Sequence, residues 1–520
     1  MSNIQENNKR IAKNTLLLYV RMLFLLGVSL YTSRVVLNAL GVVDYGLYNV
    51  VGGVIVMLSS LTGSLAGTSS RFITYELGVG NMERMKQVFG NVIFLHWLSA
   101  GIILVLAETV GIWFLQTQLQ IPVGREDAAF WVYELSIVSA LIGIISVPYD
   151  AAIIAHEKMG AFAYISILDA VLKLAIVYLL VTLPFDRLIV YALLLLLVQV
   201  IDRIIYGVYC TRHFEETRVK TTYDKEIFRS IFSYSLWTLN GSLAYFGFTQ
   251  GLNILLNMFF GPAVNAARGI AVQVQGVCLQ FCNNFQMALN PQLTKSYAQG
   301  NLEYMHSLII KSSKFSYYIL FFLVLPLMYE SQFVLKIWLG IVPEHTVNFL
   351  RLILFVGLLF SLSNPILTSV HATGNVKRFQ MIEATLLLFI VPISWILLKF
   401  FGVPPETVFL VHIILEIITQ SVRLYLVCPM INFSKRVYLQ QVVKPIVTVT
   451  VLAPGLPFIV YHLQLPTTTS FFAVCATSVI SSMLIMYYLG CTSHEKEVIT
   501  IKVKGTIAKI SNKYNEKNII

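Results

Sequence analysis

Arg21 sits inside "LLLYVRMLFLL" (16–26), where the other ten residues are apolar or aromatic. A charged residue at the centre of a membrane helix costs roughly 2.5 to 3.5 kcal/mol on insertion scales, so something must compensate it. Other ionisable residues also fall in apolar stretches. These are Arg34, Glu134, Asp169, Lys173, Asp202 and Arg203 in the first half of the chain, and Arg268, Glu383, Glu416 and Arg423 in the second. Such residues face a bundle interior or a wet cavity, and acids among them serve proton and ion relays. Asp169 and Lys173 are four apart with the acid first, which stacks them on one helix face as a structural pair or as part of a transport site. Arg34, Glu134 and Arg423 lie near enough to span ends to snorkel. Asp202 and Arg203 are adjacent, point in different directions and need other partners. Arg21, Glu383 and Glu416 have no partner within their own helix turn and are the sharper candidates.

Uncharged polarity concentrates between residues 240 and 290. Gln273, Gln280 and Asn284 recur at spacings of seven and four, which places them on one helix face. Lipid does not tolerate such a stripe, so it lines either a hydrated path or a helix–helix contact. The path is preferred, because the equivalent segment of the first half offers Ser60 and Ser64 and no matching partners. Amides and hydroxyls of this kind suit sugar hydroxyls.

The elements that position these residues are apolar spans. Of 520 residues, 57% are hydrophobic and 12% charged, half the charge of an ordinary soluble domain. The composition therefore implies an all-α polytopic membrane protein. Segments of about 20 mostly apolar residues lie near 14–39, 46–70, 88–116, 128–152, 161–183, 187–210, 230–259, 263–290, 308–330, 347–371, 379–400, 404–429, 441–462 and 468–490, about fourteen in all. The net charge of +11 is spread over short loops and is no nucleic-acid footprint. Lys9, Arg10, Arg84, Lys86, Lys158, Arg212, Lys220, Lys295, Lys377 and Lys435 fall on one side, against Arg125, Arg187, Lys336 and Lys399 on the other. The positive-inside rule then puts both termini in the cytoplasm. The first span, without a small-residue cleavage site, reads as a retained helix. The basic tail "EVITIKVKGTIAKI" is either solvated or laid on the membrane surface. Six cysteines show no CxxC spacing, so no metal site, disulfide framework or cofactor is expected.

The chain also repeats itself. Gly41 maps to Gly261, an offset of 261 − 41 = 220 residues, and "GNMERM" (80–85) echoes "GNLEYM" (300–305) at the same offset. Farther on, Pro148 maps to Pro365, Ala155 to Ala372 and Phe162 to Phe379, an offset of 365 − 148 = 217. A unit of six helices, an even number, gives two halves of the same orientation. The expectation is a lobe at 1–215 (spans 1–6), a second at 216–432 (spans 7–12), two added helices at 433–490, and a tail at 491–520. Two such lobes enclose a central cavity and work by alternating access. The longest outer loops, near 117–127 and 331–346, carry few groups that an enzyme would use.

Two six-helix lobes, a basic first helix, "LGVVDYGLYNVVGG" (40–53) and "SSRFITYELGVGN" (69–81) together resemble the Wzx-type polysaccharide flippases. These belong to the multidrug/oligosaccharidyl-lipid/polysaccharide (MOP) exporter superfamily. The resemblance covers roughly residues 10 to 490, with diffuse motifs. It implies flipping of an undecaprenyl-pyrophosphate-linked oligosaccharide across a bacterial inner membrane, by a monomer that uses a proton or sodium gradient. On that reading Arg21, Arg34, Lys173, Arg268, Gln273, Gln280 and Asn284 line the cavity, and Glu383, Glu416 and Asp169 couple to the ion. Arg binds phosphate oxygens bidentately. The superfamily's drug exporters typically place an acid on helix 1, where this chain carries Arg21, so an anionic cargo is favoured. The alternatives are a MATE-like exporter of small molecules and, behind it, a membrane polymerase or glycosyltransferase.

Overall fold

In lipid a chain must satisfy its own backbone N–H and C=O groups, and a helix does so within one segment. The computed structural model is helical, with no strand among its described residues. Those residues are 2–59, 62–117, 121–182, 185–218, 223–463, 466–497 and 500. The side chains of some helical positions, Arg34 among them, lie outside the described set, as does most of the basic tail.

In chain order the helices are α1 (Ser2–Ser59), α2 (Thr62–Val79), α3 (Met82–Leu106), α4 (Glu126–Ala155), α5 (Met159–Thr182), α6 (Arg187–His213), α7 (Lys225–Phe260), α8 (Pro262–Ala298) and α9 (Leu302–Leu339). Then follow α10 (Thr346–Phe360), α11 (Ser363–Thr373), α12 (Lys377–Leu388), α13 (Ile390–Phe401), α14 (Thr407–Met430), α15 (Lys444–Leu452), α16 (Gly455–Tyr461) and α17 (Thr467–Ile485). Among the described residues, eleven stretches are long and apolar enough to cross a membrane. The chain is therefore a multi-pass membrane protein. Of the fourteen spans expected, 46–70, 230–259 and 263–290 are not among the eleven. The first runs through residues outside the description. The other two, α7 and α8, have the length but carry the amides noted above.

The repeated sequence makes the same turns twice. Gly80 and Gly300 both hold φ in the left-handed region, at 82° and 69°, which glycine adopts without strain. In each case the following Asn caps the next helix: Asn81 Oδ1 accepts from the Arg84 N–H at 3.1 Å and Asn301 Oδ1 from the Tyr304 N–H at 3.2 Å. Gly41, where α1 breaks, and Gly261, between α7 and α8, match likewise at 80° and 82°.

Two compact units form. The first comprises Met1–Gln250, Asn283–Ile309 and Pro365–Phe389; the second comprises Gly251–Cys282, Ile310–Asn364 and Ile390–Ile520. The first unit thus contains segments from both halves of the repeat. Part of its core is Ile73 of α2, Met85, Phe89 and Ile93 of α3, Ala151 to Ile153 of α4 and Cys210 of α6, all buried.

Candidate functional site

Within the first unit, Arg21 of α1 lies 4.5 Å from the ring centroid of Phe162 on α5. Its Nε is buried without a hydrogen-bond partner, and Asp169 and Tyr206 are close enough to act on its charge. Asp169 of α5 holds the Lys173 ammonium at 2.8 Å, the stacked pair that their spacing predicts. Asp202 of α6 stands beside Asp169. Arg203, adjacent to Asp202, turns the other way: its guanidinium lies 4.1 Å from the Tyr149 ring centroid and acts on Asp150 of α4.

Three carboxylates (Asp150, Asp169, Asp202) and three cations (Arg21, Lys173, Arg203) therefore share one region, and their formal charges cancel. The acids supply a compensation for Arg21 that its own helix lacks. Beside them opens a cavity of about 530 Å³, lined among others by Asp150, Asp202, Lys173, Gln199 and Tyr206. One oxygen each of Asp150 and Asp202 is buried without a hydrogen-bond partner.

The second unit holds a different network. Glu416 Oε1 accepts from Arg423 Nη1 at 2.6 Å, both side chains 2% exposed. Ser363 Oγ accepts from the same nitrogen at 2.7 Å, and Gln420 Nε2 donates to Glu416 at 3.1 Å. Glu416 finds its charged partner beyond its own turn, because a spacing of seven returns to the same helix face after two turns. One expectation is corrected. Arg423 does not snorkel but is buried in that pair. Arg268 is buried as well, and donates to Asn253 Oδ1 of α7.

The polar stripe of α8 divides. Gln273 and Gln280 are exposed in the second unit, whereas Asn284 is buried in the first, its Nδ2 3.1 Å from Met22 Sδ. At Asn284 the stripe is therefore a helix–helix contact. Glu383 is buried on α12 in the first unit. Arg34 lies outside the described residues.

Two clusters that the sequence reading did not single out tie the halves of the repeat together inside the first unit. Glu157, just past α4, has φ 58°. Its carboxylate accepts from Arg10 Nε at 2.9 Å, Lys295 Nζ at 2.7 Å and Gln292 Nε2 at 2.7 Å, while its carbonyl accepts from Asn14 Nδ2 at 3.1 Å. The repeat-mate of Glu157 is Gly374 (374 − 157 = 217), with φ 76°. There Arg71 donates to the carbonyls of His371 at 2.9 Å and Ala372 at 3.2 Å, and Tyr234 O–H meets His371 Nδ1 at 2.5 Å. Tyr234 is the mate of Asn14 (234 − 14 = 220). Beside Lys295 of the Glu157 cluster, a Cβ on Gly78 would lie 2.7 Å from Cβ of Ala298, its own mate (298 − 78 = 220). Arg71 lay within the quoted "SSRFITYELGVGN"; Glu157 carried no signal of its own.

The other quoted motif has a structural role too. Asp44 of "LGVVDYGLYN" and Asp186 both pair with Arg125, one of the few charges on the sparsely charged side. Burial opposes ionisation of Asp186, but the Arg125 guanidinium and the N–H groups of Ile189 and Leu188 hold its carboxyl below the usual range.

The family profile described as polysaccharide biosynthesis protein matches residues 11–297, more than half of the chain. No curated protein matches it. Among solved structures, a MOP superfamily transporter from Pyrococcus furiosus, described by the reversed polarity of its binding pocket, is similar at 14% identity with a TM-score of 0.69. The likeness covers 81% of this chain and 96% of that one. An outward-facing multidrug resistance MATE family transporter of the same superfamily gives a TM-score of 0.71 at 14% identity, over 82% and 96% of the two chains. A MATE transporter in complex with MaD3S gives 0.66 at 16% identity, over 82% and 97%. At these identities the likeness carries the fold.

Proposed function

The chain belongs to the polysaccharide biosynthesis protein family, the Wzx-type flippases of the MOP superfamily, and on that premise we propose that it flips a lipid-pyrophosphate-linked oligosaccharide between membrane leaflets. The membrane is the bacterial inner membrane, with both termini cytoplasmic. The observation that carries this reading is the charge-balanced cluster, of which Asp150, Lys173 and Asp202 line the 530 Å³ cavity. A diphosphate needs fixed positive charge in a low-dielectric site, and Arg21, with an unpaired Nε, supplies a donor geometry suited to phosphate oxygens. Bringing an anion to Arg21 frees Asp169 and Asp202 to hold a cation between them, since adjacent like charges favour a bound counter-ion. Cargo and coupling ion are thereby linked through one network. Asp169, with Asp202 and Asp150, takes the coupling role; Glu416, locked by Arg423, does not. Gln273 and Gln280, exposed on α8, carry amides of the kind that suit sugar hydroxyls.

Transport by alternating access then needs the Glu157 and Arg71 clusters to open and close, since both join the halves of the repeat. An exporter of small cations is the alternative reading: the three acids favour it, and the three bases count against it.

The test is flipping of a lipid-linked oligosaccharide in reconstituted vesicles under a proton or sodium gradient. Arg21→Ala is expected to lower the rate roughly thirtyfold, the equivalent of about 2 kcal/mol for a lost charged contact. Asp202→Asn is expected to remove the gradient dependence. Full, gradient-driven flipping by both variants would falsify the assignment.

A further inference from the structure

A cavity of about 470 Å³ lies in the second unit between α9, α10 and the α15–α16 pair. Its walls are mostly apolar and aromatic, with Phe321, Met328, Phe355, Phe458 and Tyr461 among them. One cation lines it: Arg351, in the second turn of α10. The Arg351 Nε is buried without a hydrogen-bond partner, and its Nη2 reaches the Tyr329 carbonyl at 3.4 Å, at the long limit for such a bond. Among the described residues no carboxylate pairs with it.

Arg351 lies five residues from the start of α10, roughly 8 Å along the axis at 1.5 Å per residue. Tyr461 and His462, at the end of α16, border the same cavity. Aromatic and basic side chains at span ends mark the membrane–water boundary. A guanidinium partly buried at that depth calls for an anion. Walls of this kind call for a hydrocarbon chain attached to it.

We propose that this cavity binds an anionic phospholipid, with the phosphodiester on Arg351 and one acyl chain along the aromatic wall. The charge count selects this occupant: one guanidinium balances the net single negative charge of an anionic phospholipid, whereas the choline cation of phosphatidylcholine already offsets its phosphodiester and a polyprenyl diphosphate carries more charge than one guanidinium can match. The volume falls within the ordinary range for small-molecule pockets. The site belongs to the second unit and is separate from the acid–base cluster of the first, so it holds a resident lipid and not the cargo.

Native mass spectrometry of the full chain tests this, after reconstitution in vesicles of phosphatidylglycerol and phosphatidylcholine. One phosphatidylglycerol is expected to stay bound, about tenfold in excess over phosphatidylcholine. Arg351→Ala is expected to lower that retention about tenfold, and Arg351→Lys to keep most of it, since the charge remains. Phe355→Trp, which narrows the cavity and leaves the charge, is expected to lower retention of either lipid. Equal retention of both lipids, or retention unchanged in Arg351→Ala and Phe355→Trp, overturns the proposal. Displacement by inorganic phosphate marks a free-anion site and overturns it too, as does preference for a polyprenyl diphosphate.

Discussion

The Glu157 and Arg71 clusters occupy matched positions in the two halves of the repeat, yet they hold by different chemistry. At Glu157 one carboxylate, 1% exposed, gathers Arg10, Lys295 and Gln292. At Gly374 no carboxylate accepts from Arg71 among the described residues, although Glu76 is near enough to act on its charge. Arg71 donates to two backbone carbonyls and lies 4.4, 4.9 and 5.5 Å from the ring centroids of Phe72, Tyr75 and Tyr234. The ionic cluster depends on an acceptor that a single substitution removes. The carbonyl cluster has acceptors that no side-chain change can touch. A duplicated fold has thus kept the place of a contact while exchanging its chemistry, and the two sides should open at different cost.

The largest expected effect is at the ionic cluster. Glu157→Gln leaves two cations around a neutral amide, and removing one partner of a buried pair costs 3–5 kcal/mol. Arg10 is 46% exposed and screened, so about 3 kcal/mol is expected here. The Ser64→Cys/Ser242→Cys pair, whose hydroxyl oxygens lie 2.6 Å apart across the halves, offers a disulfide reporter of their association. Glu157→Gln should lower its cross-linking yield at least about tenfold. An unchanged yield would show that the carbonyl cluster alone holds the halves together.

Next comes the contact between Gly78 and Ala298, beside the Glu157 cluster. Gly78→Ala places a methyl 2.7 Å from Ala298 Cβ, and overpacking of this sort costs about 1–3 kcal/mol. Because Gly78 and Ala298 are mates, Gly78→Ala/Ala298→Gly moves the methyl across the repeat and should recover much of the loss. Recovery stays incomplete, since the Lys295 backbone lies 3.1 Å from the added methyl. No recovery at all would mean that the Gly78–Ala298 approach does not limit the packing of the two halves.

Much of the frame was legible in the sequence. Hydropathy located eleven of the fourteen expected spans among the described residues, and the Gly–Asn pairs at 80 and 300 marked the repeated turn because left-handed glycine and an Asn cap are local requirements. The Asp169–Lys173 pair was legible for the same reason. The Glu157 cluster was not: its members stand at 10, 14, 157, 292 and 295, and lysines or arginines at span ends read as topology signals before anything else. The three acids of the cluster, Asp150, Asp169 and Asp202, come from three helices and meet only on folding. Glu416 with Arg423 was within reach, since seven residues bring side chains onto one face, although the two stand two turns apart.

The smallest expected effect offers the finest comparison. Asn14 and Tyr234 are mates, and each contributes a single polar contact: Asn14 to the Glu157 carbonyl, Tyr234 to His371 Nδ1. Asn14→Leu and Tyr234→Phe keep the bulk and delete that contact, so each should cost about 1 kcal/mol in the same cross-linking assay. The two values diverge if the clusters are coupled differently to their surroundings. The Glu157 carbonyl is left without its donor, whereas His371 can still turn its ring or change tautomer beside the Arg71 guanidinium. Asn14→Leu should therefore be the costlier of the pair, by a factor of a few in cross-linking yield. Equal costs would show that the left-handed turn at Glu157 needs its carbonyl satisfied no more than the His371 ring does, and that the asymmetry between the clusters resides in the charges alone.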